Sequence, residues 1–370
     1  TDEGISYNAF LITGEKTILI DTVKEKFCDE LISNIQRIVD PKKIDMVISN
    51  HTEMDHSGGI PKVMNLIGKD KPLYCSKMGA KNLKSHFNCD FNFKTVGNKE
   101  TLTVGNRTFS FLETKMLHWP DSMFTYLAEE QILFSSDAFG QHYAGDSLFD
   151  DQVGDDILYH ARKYYANILL HFSPRVQTLL KDVTRMGLKI KMICPDHGII
   201  WRRDPLKIIQ AYDQWSRQEP TKKAVVIFDS MWDSTAKMAR SIASGIESKG
   251  VHVRLMNTRA WHRSDIMTQI IDAGAIVVGS PTLNNNVFPV IADVMTYVKG
   301  LRPQNKIAAA FGSYGWSGEA VKLLNKEFAE MKLDIIDDGL KVEYVPDETD
   351  LHHCFDLGVK IAETLKSKLL

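Results

Sequence analysis

The second half of the chain alternates regularly between strand and helix patterns, and this alternation limits the fold more than any other feature. Short apolar segments are separated by stretches in which apolar residues recur at helical spacing. The predicted strands are Ala224–Asp229, His252–Met256, Ala275–Gly279, Lys306–Phe311 and Lys341–Val345. Because parallel strands need a crossover between them, the pattern predicts a doubly wound parallel sheet with helices on both faces. Two of its helices are expected to begin near Ser234 and Ser317, and a last helix is expected to run from Asp350 to the end.

A polar, proline-containing segment, Arg217–Lys223, separates this half from a first half with a different pattern. We therefore expect two domains, residues 1–220 and 221–370. The first domain mixes hairpins with helices, which predicts a layered α/β sandwich. Its helices are expected at Lys24–Val39 and at Asp155–Thr184, with a break at residues 173–174. Its strands are expected at Ile5–Ile12, Thr17–Thr22, Met46–Ser49, Thr101–Val104, Thr108–Leu112, Met123–Leu127, Ile132–Ser135 and Met192–Pro195.

The composition argues against several classes of protein. Hydrophobic residues make up 44% of the chain and charged residues 25%, which is the balance of a globular protein rather than a disordered one. With 45 Lys and Arg against 47 Asp and Glu, the net charge of −2 argues against nucleic-acid binding. We expect neither a membrane span nor a signal segment, since no apolar run has the required length. Five scattered cysteines without a Cys-x-x-Cys pair indicate free thiols, so a cytoplasmic protein is expected.

One short loop concentrates residue types that bind metals. The sequence His51-Thr-Glu53-Met-Asp55-His56 directly follows a predicted strand. Alternate residues of an extended loop point to the same side, so His51, Glu53 and Asp55 can converge on one point. Three more residues with suitable side chains each follow a strand or an apolar run further along the chain: His118, Asp137 and His197. Loops at strand ends are where layered α/β folds carry their active sites.

The chemistry of this set indicates the kind of metal it binds. Imidazoles with a single carboxylate favour zinc, whereas carboxylate-rich mixtures suit iron or manganese. Three carboxylates and three or four imidazoles are too many for one tetrahedral zinc ion. The set therefore predicts two metal ions, with one carboxylate free to bridge them. Glu53 also stands where a zinc hydrolase of the same layered fold typically has a second histidine.

The motif from His51 to His56, together with the three later residues, resembles that of the flavodiiron proteins, also called A-type flavoproteins. The resemblance implies an α/β chain in which a metallo-β-lactamase-like αββα sandwich is followed by a flavodoxin-like doubly wound parallel sheet. It also implies a carboxylate-bridged pair of non-haem iron ions. The residues it assigns to them are His51, Glu53 and His118 for one ion, Asp55 and His197 for the other and Asp137 for the bridge, with His56 either ligating or giving way to water.

A second ligand site is predicted in three loops that follow strands of the second domain. The first loop, from Ser230 to Thr235, places hydroxyl and N–H groups at a helix N-terminus, which suits a phosphate. No dinucleotide or nucleoside-triphosphate motif is present, so a mononucleotide is favoured, and the family resemblance implies FMN. The aromatic side chain expected beside the flavin ring is that of Trp316. The residues expected to hold FMN are Ser230, Met231, Trp232, Asp233, Ser234 and Thr235 in the first loop, Ser280, Pro281, Thr282, Leu283, Asn284 and Asn285 in the second, and Ser313, Tyr314, Gly315, Trp316 and Gly318 in the third.

The resemblance also implies a reaction. Two ferrous ions and one reduced FMN store four electrons, which matches the reduction of O₂ to two waters; two ferrous ions also suit the coupling of two NO molecules to N₂O. Of the adjacent Tyr164 and Tyr165, we assign Tyr165 as a hydrogen-bond donor near the metals. Rubredoxin, or reduced coenzyme F420 as in some relatives, is the expected electron donor. The 370 residues contain no Cys-rich rubredoxin module, so the two-domain members of the family are the expected match.

Fast electron transfer requires FMN to lie near the iron ions, and this requirement leads to an expectation about how chains assemble. Flavodiiron proteins form head-to-tail dimers in which the FMN of one chain faces the iron of the other, and we expect such a dimer, or a dimer of dimers, here. Two other functions stay open at this point. One is a zinc-dependent lactamase-fold hydrolase with an accessory flavodoxin domain. The other is an electron carrier whose first domain is inactive.

Overall fold

The structure is a computed structural model and describes residues 3–369 of the chain. Its backbone forms two compact units. The first unit extends to Tyr165 and continues over Phe172–Asp213. The second contains Ala166–His171 and continues from Gln214 onward. The expected domain boundary between residues 220 and 221 stays a prediction.

Two sheets form the centre of the first unit. The strands of the first sheet are β1 (Phe10–Ile12), β2 (Thr17–Ile20), β3 (Ile44–Ser49), β4 (Pro72–Ser76) and β5 (Asn92–Val96). They lie in the order β1-β2-β3-β4-β5, and all neighbours are parallel except β1 and β2. The strands of the second sheet are β6 (Thr101–Val104), β7 (Arg107–Glu113), β8 (Met123–Leu127), β9 (Ile132–Ser136) and β10 (Met192–Pro195). Their order is β10-β9-β8-β7-β6, antiparallel except for the parallel pair of β9 and β10.

The predicted helix over Asp155–Thr184 is interrupted earlier than expected. A π-helical turn over Tyr165–Leu169 and a 3₁₀ turn over Leu170–Phe172 separate two α-helices at this point, so the predicted break at 173–174 is corrected. The helix predicted over Lys24–Val39 is also shorter, since a 3₁₀ turn precedes it. The α-helices up to residue 217 are α1 (Cys28–Gln36), α2 (Met54–Ser57), α3 (Ile60–Ile67), α4 (Lys77–Phe87), α5 (Ile157–Tyr164), α6 (Ser173–Met186) and α7 (Pro205–Arg217).

Apolar side chains hold the layers of this unit together. Ile18 and Ile48 of the first sheet share one buried cluster with Phe109, Phe111 and other residues of the second sheet, so the two sheets pack face to face. A separate cluster joins the opposite face of the first sheet to α1, α3 and α4. The strands β2 and β3 are mostly apolar, as expected for strands with both faces buried. The resulting order of helix, sheet and sheet, with further helices after β9, confirms the predicted αββα sandwich.

The second unit contains the predicted doubly wound sheet. Its strands are β11 (Thr221–Phe228), β12 (His252–Asn257), β13 (Ala273–Gly279), β16 (Ile307–Tyr314), β17 (Asp334–Ile335) and β18 (Leu340–Glu343), with a separate hairpin of β14 (Thr282–Leu283) and β15 (Asn286–Val287). All neighbours in the sheet are parallel, in the order β12-β11-β13-β16, and β17 and β18 pair with successive parts of β16. The helices are α8 (Ser234–Ser248), α9 (Arg263–Ile270), α10 (Pro289–Leu301), α11 (Glu319–Glu330) and α12 (Glu348–Lys368). This strand order is that of flavodoxin-like folds.

None of the helices found between residues 3 and 369 has both the length and the apolar character needed to cross a membrane.

Candidate metal centre and flavin site

All seven predicted metal-binding residues lie in loops or short helices next to strand ends. His51 lies two residues beyond β3, and the following residues form α2, with Glu53 at its N-cap. His118 lies in the loop between β7 and β8. Asp137 directly follows β9, and His197 lies two residues beyond β10. Strands of both sheets thus supply side chains to one place, as expected for an αββα sandwich.

Four of these side chains form a first cluster. Its members are His51, Glu53, His118 and Asp137, and their ligand atoms lie within 4.8 Å of one another. Glu53 Oε2 lies 3.4 Å from His51 Nε2 and 3.0 Å from His118 Nε2. Asp137 Oδ2 lies 3.2 Å from each of the same two nitrogens. Two imidazoles and two carboxylates therefore converge on one point.

A second cluster uses the other oxygen of the same aspartate. It contains Asp55, His56 and His197, whose ligand atoms also lie within 4.8 Å of one another. Asp137 Oδ1 lies 3.3 Å from His56 Nε2 and 3.3 Å from His197 Nε2. His56 is fully buried and its Nε2 is directed into this cluster, 3.5 Å from Asp55 Oδ1. The structure therefore groups His56 with the other ligands.

The polar atoms of the two clusters fit a pair of metal ions. Asp137 Oδ2, Asp55 Oδ1 and His56 Nε2 are buried, yet none has a hydrogen-bond partner in the described part of the chain. Buried polar atoms normally have a partner, and these atoms lie beside groups of opposite charge without hydrogen-bond geometry. Ligand atoms that surround a metal ion have this arrangement, because each points at the ion rather than at its neighbours. Mixed imidazole and carboxylate ligands of this number suit two iron ions.

The side chains of the site shift one another's pKa. Burial opposes a charge on His118, but the neighbouring carboxylates of Asp137 and Glu53 raise its pKa from 6.5 to about 9. Burial also opposes a charge on His197, yet its carboxylate neighbours raise its pKa to about 10. Glu53 is buried in part, which raises its pKa, but its hydrogen bonds to the histidines prevail and lower the pKa to about 2. Its carboxylate is therefore ionised, as a metal ligand must be.

Contacts behind the clusters hold the ligands in place. Tyr164 donates a hydrogen bond of 2.9 Å to Asp137 Oδ1. The hydroxyl of Tyr165 is instead 3.0 Å from Ser173 Oγ, so the assignment of Tyr165 as the donor near the metals is corrected to Tyr164. Asp121, which the sequence did not predict, lies 3.2 Å from His51 Nδ1. The position of Asp121, three residues after the predicted ligand His118, is the only sequence signal that could have indicated it.

The three predicted flavin loops surround one cavity of about 390 Å³ in the second unit. Two lining residues were not predicted, Ser317 and Tyr344, and Tyr344 directly follows β18. Trp232 and Trp316 project from the rim of the cavity and are 83% and 88% exposed. This exposure would let their side chains stack against the flat flavin ring. The predicted residues that line the cavity are Met231, Trp232, Ser234, Pro281, Thr282, Leu283, Asn284, Asn285, Ser313, Tyr314, Gly315 and Trp316.

The other predicted flavin residues lie behind this lining, and several of them support it. Thr235 Oγ1 and Ser313 Oγ are 2.8 Å apart, which joins the first loop to the third. Ser280 Oγ accepts the N–H of Phe288 at 2.9 Å and so closes the second loop. Ser230 Oγ is buried and has no hydrogen-bond partner among the described residues, at the loop where a phosphate is expected. The remaining two are Asp233, at the N-cap of α8, and Gly318, at the N-cap of α11.

An ion pair and several hydrogen bonds join the first loop to its neighbour. Asp229, at the end of β11, accepts the N–H of Ser230 at 2.6 Å and the hydroxyl of Thr258 at 2.7 Å. Arg259 donates to Asp229 Oδ1 at 2.9 Å and to the Ser230 carbonyl at 2.8 Å. The loops after β11 and β12 are thus joined beside the helix N-terminus that would receive the phosphate.

Known proteins resemble the chain over nearly its whole length. Residues 5–198 match the family described as ODP family beta lactamase, and residues 226–358 match flavodoxin. A nitric oxide reductase of Moorella thermoacetica is 44% identical over 98% of this chain and 91% of that protein. A rubredoxin-oxygen oxidoreductase of Megalodesulfovibrio gigas is 43% identical over 99% of this chain and 92% of that protein.

Solved structures show the same similarity in three dimensions. The rubredoxin oxygen:oxidoreductase from Desulfovibrio gigas has a TM-score of 0.97 and 42% identity, covering 99% of this chain and 92% of that chain. The flavodiiron protein from Giardia intestinalis has a TM-score of 0.95 and 34% identity, covering 99% of this chain and 90% of that chain.

Fold, site and comparisons together define a class: the chain is an oxidoreductase that joins a lactamase-like metal domain to a flavodoxin domain. It belongs to the flavodiiron family. The family binds a non-haem diiron site, and the flavodoxin domain implies FMN as the second cofactor. The names of these relatives, nitric oxide reductase and rubredoxin-oxygen oxidoreductase, do not favour the interpretation of the chain as a lactamase-fold hydrolase.

Proposed function

We propose that this chain reduces O₂ to water, NO to N₂O, or both, at two iron ions held by the two clusters. The observation that carries the proposal is the placement of Asp137, whose two carboxylate oxygens each face one cluster. A bridging carboxylate holds two metal ions at a distance where both can act on one substrate molecule. The proposed ligands are His51, Glu53 and His118 for one ion, Asp55, His56 and His197 for the other, and Asp137 between them.

The protein's own residues orient the ligands and hold protons. When bound, the two ferrous ions supply electrons and open coordination positions for a diatomic gas. Tyr164 holds Asp137 by a hydrogen bond to Oδ1 and places a phenolic proton beside the bridge. Burial, together with the charge of Asp137, raises the pKa of that phenol well above its ordinary value, so the proton stays on Tyr164.

We propose that FMN occupies the cavity of the second unit and passes electrons to the iron ions. The supporting features are the helix N-terminus at Ser234, the hydroxyl of Ser230 without a partner among the described residues, and the exposed side chains of Trp232 and Trp316 at the rim of the cavity. Rubredoxin is the proposed donor, because a relative that is 43% identical is named rubredoxin-oxygen oxidoreductase. Reduced coenzyme F420 is the alternative donor.

We propose further that the chain works as two domains, 1–220 and 221–370, in a head-to-tail dimer or a dimer of dimers. The family matches fall on either side of the proposed boundary and support it. A C₂ dimer that brings one chain's FMN to the other chain's iron creates two such junctions at once. A cytoplasmic location is proposed because the five cysteines are free thiols.

Gas consumption by the reduced protein tests the proposed reaction. Purified protein is reduced anaerobically with one donor, and O₂ and NO are followed in parallel at electrodes. Rapid O₂ uptake without peroxide identifies an oxygen reductase, and rapid NO loss with formation of N₂O identifies an NO reductase. The variant Asp137→Ala should lose both activities and bound iron while keeping FMN, whereas Asp45→Ala, which removes a partly exposed partner of Lys16, should keep all three.

Two results would overturn this assignment. If the protein held iron and FMN but consumed neither gas, the result would favour the alternative function, an electron carrier whose first domain is inactive. Purified protein containing zinc instead of iron would revive the hydrolase.

A further inference from the structure

Asp121 is a buried carboxylate directly behind one of the proposed metal ligands. It lies in the loop between β7 and β8 and is 2% exposed. Its Oδ2 is 3.2 Å from His51 Nδ1 and accepts the N–H of Thr52 at 2.7 Å. Its Oδ1 accepts a hydrogen bond of 3.2 Å from Asn82. Both oxygens are therefore fixed, and one of them faces the imidazole of His51.

The nitrogen that Asp121 contacts is the one that faces away from the cluster. His51 Nε2 points at Glu53 and Asp137, at 3.4 and 3.2 Å. An imidazole ligates a metal through Nε2 as the neutral tautomer only if Nδ1 carries the proton. A carboxylate beside Nδ1 accepts a hydrogen bond from the Nδ1–H group, and the proton stays on the imidazole. The carboxylate therefore selects this tautomer and holds the ring in its orientation.

The two imidazoles of the second cluster lack an equivalent contact in the described residues. His197 Nδ1 is 2.8 Å from the backbone carbonyl of Ser6, which is a neutral acceptor. His56 Nδ1 is 3.8 Å from Asp196 Oδ2, beyond hydrogen-bond distance, and is unpartnered. A carboxylate makes an imidazole a stronger electron donor than a carbonyl does, so the first cluster is built to bind its metal ion more firmly.

We propose that Asp121 is a positioning residue for one of the two metal ions: it fixes His51 in the ligating tautomer and selectively strengthens metal binding in the first cluster. The proposal rests on the assignment of that cluster as a metal site. Asp121 touches neither substrate nor the reacting atoms. It acts through His51, and Asn82 and Thr52 hold it in place.

A purely structural role is the alternative, because Asp121 also joins three segments of the chain. Besides Thr52 and Asn82, its backbone carbonyl accepts a hydrogen bond of 2.8 Å from Ser76 Oγ. A residue that only stabilised the fold would affect both metal sites alike and would lower the stability of the metal-free protein. A positioning residue would change the affinity of one site.

Metal ions are first removed with a chelator, which gives the metal-free form called here the chelated protein. Equilibrium titration of the chelated protein with Fe²⁺ distinguishes these roles. Asp121→Asn keeps the size of the side chain but removes its charge. We expect the affinity of one site to fall by about 10–100-fold, while the other site and the FMN content stay unchanged. The control Asp90→Asn makes the same change at an exposed carboxylate that pairs with Lys84 outside both clusters, so its affinities should change by less than about threefold.

Double variants identify the affected site. Combined with His118→Ala, which already disables the first cluster, Asp121→Asn should add little to the loss of iron affinity. Combined with His197→Ala, it should add its full effect, because that residue belongs to the second cluster. Equal losses at both sites in Asp121→Asn, or unchanged affinities, would overturn the proposal. If the wild-type chain bound no iron at either site, the proposed function would fail instead.

A measurement on the wild-type protein covers the case in which Asp121→Asn does not fold. In zinc-loaded protein with ¹⁵N-labelled histidine, the Nδ1 proton of His51 should resonate far downfield and exchange slowly with solvent, as expected for a buried hydrogen bond to a carboxylate. A His51 that carries no proton on Nδ1 would contradict the proposal.

Discussion

At the scale of single residues, ionic pairs among the ligands make the stability of the chelated protein depend on pH. The pKa of His118 is raised from 6.5 to about 9, so its stabilising effect is complete below pH 6.5 and is lost as the pH rises through about 9. The pKa of Glu53 is lowered from 4.5 to about 2, so its effect is present above pH 4.5 and is lost as the pH falls through about 2. The chelated protein should therefore be most stable between these two ranges.

Urea unfolding of the chelated protein checks this expectation. The midpoint should be lower at about pH 9 than at about pH 6, and His118→Ala should reduce the difference because one of the titrating partners is gone. A fall of equal size in the variant and the wild type would contradict the assignment to His118.

The residue scale also shows what the sequence could predict. The structure brings together all seven residues that the sequence predicts to bind metals, because each lies near a strand end and carries a side chain that can bind metals. Tyr164 could not be separated from Tyr165, since adjacent helical residues point in directions about 100° apart and a π-helical turn begins at Tyr165. Asp121 could not be assigned either, because its contact with His51 depends on how two distant loops pack.

At the scale of elements, the phosphate loop depends on an ionic contact between neighbouring loops. Arg259→Ala would leave the carboxylate of Asp229, which is 1% exposed, without its cation, at the place where the FMN phosphate is expected. We predict that the affinity for FMN falls about tenfold, while the affinity for riboflavin, which lacks the phosphate, changes little. Quenching of flavin fluorescence by the apoprotein measures both.

Arg263→Ala is the matched control for this prediction. Arg263 belongs to the same unit and forms an exposed ion pair with Asp293 at 2.8 Å. Its loss removes the same charge from the unit but should leave FMN binding unchanged. Equal weakening of FMN and riboflavin in Arg259→Ala would show that the contact supports the loop in general rather than the phosphate.

The position of α8 depends on its close packing against α12. A Cβ added at Gly245 would overlap the backbone carbonyl of Phe355, and one added at Gly358 would overlap that of Ile242. Since backbone atoms cannot move aside cheaply, Gly245→Ala should lower the free energy of unfolding of this unit by about 1–3 kcal/mol. It should also weaken FMN binding, because α8 begins in the phosphate loop.

Gly300→Ala is the control, since a methyl group there meets nothing within 4 Å at an exposed position near the end of α10. It should leave the stability unchanged or raise it by up to about 1 kcal/mol. Thermal unfolding of both variants is the measurement. A Gly245→Ala variant as stable as the wild type would mean that the two helices can separate without cost.

At the scale of the whole molecule, the fold class followed from the sequence more securely than the details within it. The alternation after residue 223 predicted the parallel sheet because only a crossover can join parallel strands. The short strands β4 and β5 and the helices α3 and α4 were not predicted, since brief apolar runs fit either kind of element. Tyr344 was missed for a related reason: it joins the flavin cavity only because β18 ends beside β16.

The proposed head-to-tail dimer makes a prediction that a single chain cannot fulfil. Asp137→Ala should lack iron but keep FMN, and Ser234→Asp should lack FMN but keep iron, because it places a carboxylate at the phosphate loop. Each variant alone should be inactive. If electrons pass from one chain's FMN to the other chain's iron, a mixed dimer contains one intact junction.

Equal mixing with subunit exchange should give mixed dimers in about half of the population and restore about a quarter of the wild-type activity per dimer. Gas consumption at an electrode measures the recovery, and separately purified variants mixed without subunit exchange are the control. If electrons passed within one chain, no mixture could become active, because no chain would then hold both cofactors. Activity that persists unchanged in wild-type protein diluted to proven monomers would lead to the same conclusion.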